Sequence, residues 1–179
     1  MRAQLFVGAA ALALFACSKQ EPTAPVAPEP SAERAAAATS PSSMLDAVLA
    51  AQPEEAQARY QWRHPKETLQ FFGIEPGMTV VDTLPGEIWY TGILMDYLGL
   101  EGTVIAADYS PEMWQLFGRI APKPEEKAKW AANFVAKMDA KRDENDARVI
   151  AVHYGAIPDE LARTADAVVI GYRIHRRGH

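Results

Sequence analysis

The spacing of apolar positions changes several times along the chain, and each change marks an expected element. Met44, Leu45, Val48 and Leu49 recur at helical spacing. Ser43 precedes them and Asp46 follows three residues later, a capping-box pattern that predicts a short helix from Ser43. Pro65 opens a second helix through Glu67, Leu69 and Phe72, which Gly73 stops. Met78–Asp82 is a short β-branched run lying between the turn residues Glu75-Pro76-Gly77 and Leu84-Pro85-Gly86, the pattern of a strand buried on both faces. The period then turns helical, with Trp89, Ile93, Leu94, Tyr97 and Leu98 on one stripe ending at Gly99. Thr103–Ala107 reads as a second strand ending on Asp108, and Ser110-Pro111-Glu112 starts the next helix with a cap residue and a proline in their usual places. A longer helix is expected from Pro124 to about Arg142. Trp130, Phe134 and Met138 would lie on one of its faces, and Glu125, Glu126, Lys127 and Lys129 on a solvated one. Arg148–Val152 and Ala167–Ile170 complete four strands, with a short helical turn after Pro158 between them. Strand and helix alternate and there is no internal repeat, so the expected class is α/β: a Rossmann-like parallel sheet with helices on its faces.

Composition narrows the picture. The chain has 179 residues, 49% hydrophobic and 23% charged, with a net charge of −5, which is the size of one folded domain. The acidic balance offers no field for phosphate backbones, and Arg173, Arg176 and Arg177 form too small a cluster for a nucleic-acid surface. No nucleic-acid partner is expected. Cys17 is the single cysteine, so neither an internal disulfide nor a multi-cysteine metal site is available, and no His/carboxylate spacing suggests a metal. Arg2 and the apolar run Leu5–Ala16 fit a signal peptide over residues 1–16, well short of the ~20 residues that span a bilayer. Leu14-Phe15-Ala16-Cys17 resembles the bacterial lipoprotein lipobox, which implies acylation of Cys17 and a membrane anchor. Ser18 resembles the pattern sorted to the outer membrane, and the other reading is an ordinary secretory signal. Residues 17–42 are rich in Pro, Ala, Glu and Ser and read as an extended tether, leaving 43–179 as the folded domain.

In an open parallel sheet a ligand sits beyond the C-terminal strand ends, so the stretch Asp82 to Ile88 and the acid Asp108 carry the candidate chemistry. An acid about 20 residues after a glycine-bearing turn can accept hydrogen bonds from ribose hydroxyls. A capping or surface carboxylate is the alternative for Asp108. Arg63-His64-Pro65-Lys66-Glu67-Thr68-Leu69, Pro76-Gly77-Met78-Thr79-Val80-Val81-Asp82 and Pro85-Gly86-Glu87-Ile88-Trp89-Tyr90-Thr91 together resemble a family of bacterial class I S-adenosylmethionine-dependent methyltransferases, often exported. The likeness runs from about Tyr60 to Tyr172. It implies S-adenosylmethionine as cofactor, with Asp82, Pro85, Gly86, Trp89, Tyr90, Thr91 and Asp108 as binding positions and an unidentified methyl acceptor, a small molecule among the candidates. Glu87 and Ile88 stand where the family has glycines. The class I fold usually has seven strands, so the resemblance also implies a sheet short at its C-terminal side, with an exposed edge open to self-association. His175 falls where the family tends to carry a histidine after the fourth strand, a candidate base, although a histidine in a basic tail is more often solvated.

Other residues invite two readings each. His64 could line the cofactor mouth or serve the helix start. His153 could reach the site or simply close a strand with a hydrogen bond. Trp89, Tyr90 and Trp114 could stack on an adenine, although aromatics at helical spacing are more often core. The resulting expectation is a lipid-anchored, methyltransferase-like domain. Two alternatives stay open, a noncatalytic envelope lipoprotein with a degenerate Rossmann domain and a nucleotide- or NAD(P)-binding oxidoreductase.

Overall fold

The computed structural model describes residues 40–86 and 88–170, all within the unit Ala32–His179. The signal peptide 1–16, Cys17, the tether up to residue 39, Glu87 and His175 lie outside the described residues.

The first helix among the described residues, α1, is Pro41–Ala51, so it opens before Ser43 and takes in the last residues assigned to the tether. Ser40, not Ser43, is the cap: its hydroxyl accepts from the Ser43 backbone N–H at 3.2 Å, with Pro41 at the first helical position. Leu45 and Leu49 are the buried pair on its inner face, each worth about 1.5–3 kcal/mol on burial. Two one-turn helices follow, α2 (Glu54–Gln57) and α3 (Tyr60–Arg63), which the polar pattern there does not announce. They lead into α4 (Pro65–Phe71), which ends before the left-handed Gly73 as expected.

Four parallel strands form the sheet: β1 (Thr79–Thr83), β2 (Thr103–Asp108), β3 (Arg148–His153) and β4 (Ala167–Ile170), in the order β3-β2-β1-β4. Each β-branched run identified in the sequence is a strand, with ends moved by at most one residue. The helix α5 (Trp89–Leu98) joins β1 to β2. Between β2 and β3 come α6 (Pro111–Gln115), a 3-10 turn at Gly118–Ile120, α7 (Pro124–Ala128) and α8 (Trp130–Asp139). The single long helix expected from Pro124 is therefore two. Lys129 leaves helical geometry at φ −96°, ψ −4°, which lets α7 lie against α6 while α8 packs on β3.

Strand alternation sorts the side chains by face. Val80, Val104, Ala106, Val149 and Val169 face the main core, where they meet Leu45 of α1, Leu69 of α4, Ile93 and Leu94 of α5, and Phe134 and Met138 of α8. The opposite face carries Ile105, Ala107 and Val152, packed with Val81, Ile150, Tyr154 and Leu161. The two connections from β1 to β3 thus run over one face, and the β3 to β4 crossover brings Leu161 to the other. That divergence places the switch in strand order between β1 and β4.

Candidate functional site

The C-terminal ends of β1 and β2 bring the candidate residues to one edge of the sheet. The loop after β1 is backbone-strained. Leu84 (φ 52°), Gly86 (φ 56°) and Ile88 (φ 63°) all lie in the left-handed region, and only the glycine takes it without steric cost. A β-branched side chain is poorly suited to that conformation, yet Ile88 adopts it, and the surrounding contacts hold it there. The Leu84 N–H donates to the Ala107 carbonyl at 2.7 Å, extending the β1–β2 ladder, and the Ile88 N–H closes back on Pro85 at 3.1 Å. Ile88 and Trp89 pack against the main core. Gly86 is exposed and Pro85 half-buried, so this stretch of backbone faces solvent.

Asp82 is the anchor of that loop. It is 1% exposed, and its Oδ2 accepts from the Thr91 hydroxyl at 2.6 Å, tying the end of β1 to the first turn of α5. Burial pushes its carboxyl up from 3.8 to about 6, against the lowering effect of the hydrogen bonds from Thr91. A carboxylate so enclosed positions the loop and does not itself reach the surface. Tyr90 is buried with its ring 4.7 Å from Trp89, and the Trp89 indole N–H donates to the Ala56 carbonyl at 3.0 Å. These two rings belong to the core side of α5, the commoner of the two readings for aromatics at this spacing. On the opposite face of β1, the Thr83 hydroxyl donates to the Val169 carbonyl at 3.2 Å across the switch point. Burial raises the Tyr154 phenol above its usual range, with the Thr83 hydroxyl pulling the other way.

Asp108 lies two residues beyond the position paired with Asp82, on the same sheet face. It is neither a cap nor a surface carboxylate. It is 4% exposed, and three donors converge on it: the Tyr109 backbone N–H at 2.7 Å, the Trp114 indole N–H at 3.1 Å and the Lys127 ammonium at 2.5 Å. The Lys127 Nζ also sits 4.5 Å from the Trp114 ring centroid and 5.6 Å from that of Trp130, close enough for cation–π attraction to both. Lys127 is thus turned inward, with its side chain 12% exposed, whereas the charge pattern placed it on a solvated face. Only its spacing to Trp130, one helical turn away, hinted at this. Trp114 covers Asp108 and joins a cluster with Tyr109 and Phe117, which Tyr154 extends.

His153, paired with Asp108 in the β2–β3 register, completes the edge. Its Nδ1 is 3.0 Å from the Tyr109 carbonyl and its ring is 5.4 Å from Trp130. It therefore closes a strand with a hydrogen bond, as one of its two readings required. His64 is exposed and holds a left-handed turn (φ 42°) between α3 and α4, next to Arg63, whose carbonyl accepts from the Tyr90 hydroxyl at 3.5 Å. The structure thus joins Asp82 to Thr91, and Asp108 to Lys127, Trp114 and the His153 edge. Among the described residues no group of His, Cys, Asp or Glu is arranged to hold a metal ion, and no helix is long and apolar enough to cross a membrane. Comparison of the sequence with protein-family models and with curated proteins yields no match.

Proposed function

We propose that the domain binds S-adenosylmethionine beyond the C-terminal ends of β1 and β2 and acts as a methyltransferase-like protein, anchored to the cell envelope through Cys17. The observation that carries this reading is the pairing of an exposed, left-handed glycine loop after β1 with a buried acid at the end of β2, beside the switch in strand order. The residues fit the cofactor after one rearrangement. Lys127 has a flexible four-carbon stem, and its withdrawal frees one oxygen of Asp108 for ribose hydroxyls while Tyr109 and Trp114 keep the other engaged. Asp82 and Thr91 hold the loop, and Gly86 lets its backbone approach the amino-acid end of the ligand. When bound, S-adenosylmethionine supplies a methyl group on a sulfonium centre. Transfer then rests mainly on positioning, so the chain's contribution is orientation and exclusion of water.

A noncatalytic role is the second reading. It is favoured by the occupancy of Asp108 by Lys127 and by two non-glycine residues in left-handed positions of the loop.

Calorimetric titration of the full chain with S-adenosylhomocysteine separates the two. Binding at about 10 μM, weakened tenfold or more by Asp108→Asn in a variant whose circular dichroism is unchanged, supports the cofactor reading. A folded chain that takes up neither S-adenosylmethionine nor S-adenosylhomocysteine overturns it in favour of the noncatalytic lipoprotein. Uptake of NAD(P) in their place points to the oxidoreductase.

A further inference from the structure

Residues 111–128 form a strap of short elements, α6, the 3-10 turn and α7, against the C-terminal end of β2. Its inner side is fixed to the edge already described. Trp114 donates to Asp108, Lys127 pairs with it, and the Phe117 ring stacks 5.6 Å from that of Tyr109. Its outer side is apolar. Met113, Leu116, Phe117 and Ile120 are all exposed, Leu116 to 80% and Ile120 to 77%, which puts four large apolar side chains in water within eight residues.

Such a row gains by being covered. Its exposed area is roughly 400 Å², the scale of a functional patch on a monomer and about half of what each partner of a standard protein interface buries. A second copy of the chain therefore does not find enough surface here for a stable dimer. The charges around the row balance: Arg119, Lys123 and Lys129 stand against Glu112, Glu125 and Glu126, while Lys127 is engaged by Asp108. No acid lies between Met113 and Pro124, and the stems of Arg119 and Lys123 are long enough to keep their charges in water while the row beside them is buried. The covering surface is set by the tether. Between Cys17 and Ser40 the chain reaches at most about 80 Å even when fully extended, so a domain acylated at Cys17 stays within range of its bilayer at high effective concentration.

We infer, resting on the Cys17 anchor proposed above and on none of the cofactor reading, that residues 113–120 dock on the lipid bilayer that holds the chain. Leu116 and Ile120, the most exposed of the four, enter the boundary between headgroups and acyl chains, about 5–10 Å deep. Arg119 and Lys123 stay at headgroup level. The contact is carried by apolar area, so neutral lipid is sufficient. Asp108 ends β2 directly beneath the strap, so docking turns that strand edge toward the lipid, and a ligand of the edge enters from the membrane side.

The test is spin-label accessibility in the full chain with phosphatidylcholine vesicles. Cys17→Ser removes the native thiol, and a nitroxide is placed through Leu116→Cys or, for comparison, through Leu100→Cys, at a position 64% exposed before β2, at the other end of the strands. Each label reads its own surroundings, whatever residues 5–16 do at the vesicle. Vesicles are expected to raise the collision rate of the label at 116 with oxygen, relative to a water-soluble nickel complex, by about threefold or more, and to leave the label at 100 unchanged. Ile120→Asp, at an exposed position, is expected to lower the inserted fraction at 116 by about fivefold or more, and high salt to leave it unchanged. No change at 116, an equal change at both positions, or immobilisation of the label at 116 without lipid overturns the proposal. Immobilisation that grows with protein concentration assigns the row to a second copy, and immobilisation independent of concentration to another segment of the chain. The mass of the mature chain reports acylation of Cys17 separately. An acylated chain whose label at 116 stays in water keeps the anchor and overturns the docking, and an unacylated chain whose label enters the lipid keeps the docking surface without the anchor.

Discussion

Replacing Lys127 with methionine removes the ammonium while keeping most of the apolar stem that lies between Trp114 and Trp130. Asp108 then retains its two N–H donors, from Tyr109 and Trp114, but loses its only counter-charge among the described residues. The side chains of the pair are 12% and 5% exposed, so water cannot replace the ammonium. Removing one partner of a buried pair costs about 3–5 kcal/mol, most of it the penalty of leaving the other charge unpaired. The two surviving hydrogen bonds put the expectation near 3 kcal/mol. Lys66 and Asp46 supply an internal comparison. They meet at 2.6 Å but are 40% and 52% exposed, and Lys66→Met is expected to cost no more than about 0.5 kcal/mol. Urea denaturation followed by far-UV circular dichroism measures both. Asp108→Asn in the Lys127→Met background should recover much of the loss, because the amide carbonyl still accepts from both N–H groups without a charge to compensate. A Lys127→Met cost below about 1 kcal/mol, or one equal to that of Lys66→Met, would refute the view that Lys127 neutralises a desolvated Asp108.

Three further outcomes are expected. Burial raises the Asp82 carboxyl from 3.8 to about 6, so the folded chain binds this proton more tightly than the unfolded one and loses stability as pH rises through that window, by about 3 kcal/mol at pH 7. Asp82→Asn does not ionise, so its stability relative to the parent should climb between pH 4 and pH 7, and a difference that stays flat with pH would contradict the assignment. Gly102→Ala should destabilise by about 1–3 kcal/mol in thermal or urea unfolding, because a Cβ there would stand 2.4 Å from the Leu98 Cβ and 2.8 Å from its carbonyl oxygen. His64→Gly should raise stability by about 0.5–1 kcal/mol by relieving a left-handed conformation at an exposed position, and a loss of stability would mean that the imidazole carries an interaction of its own.

The strands were legible because each is a short β-branched or alanine-rich run between turn residues, a signal that depends on no distant partner. Their ends were less so. β1 extends to Thr83 because the Thr83 hydroxyl reaches Val169 and the Leu84 N–H reaches Ala107, contacts that no local pattern encodes. The spacing pointed to Ser43 alone as the start of α1, whereas the helix opens at Pro41, whose fixed φ and missing N–H suit the first helical position directly after Ser40. The break at Lys129 left no mark in a sequence of good helix formers. It follows from packing, which draws α7 toward α6 and α8 onto β3.

The same division runs through the candidate site. Asp82 and Thr91 stand nine residues apart, close enough for the loop motif to contain both, and the structure joins them in one hydrogen bond. Their burial makes that motif the support of the loop, so a ligand at this edge meets the exposed backbone around Gly86 and not the motif's acid. Asp108 was equally visible as the acid ending β2, but its partner is nineteen residues away on a segment whose alternating charges look solvated. The ammonium on Asp108 is therefore the feature that most changes the chemistry of the edge. Any ligand that uses this carboxylate must displace an ion pair that two tryptophan rings also hold, and the cost of that displacement is set against whatever the ligand gains.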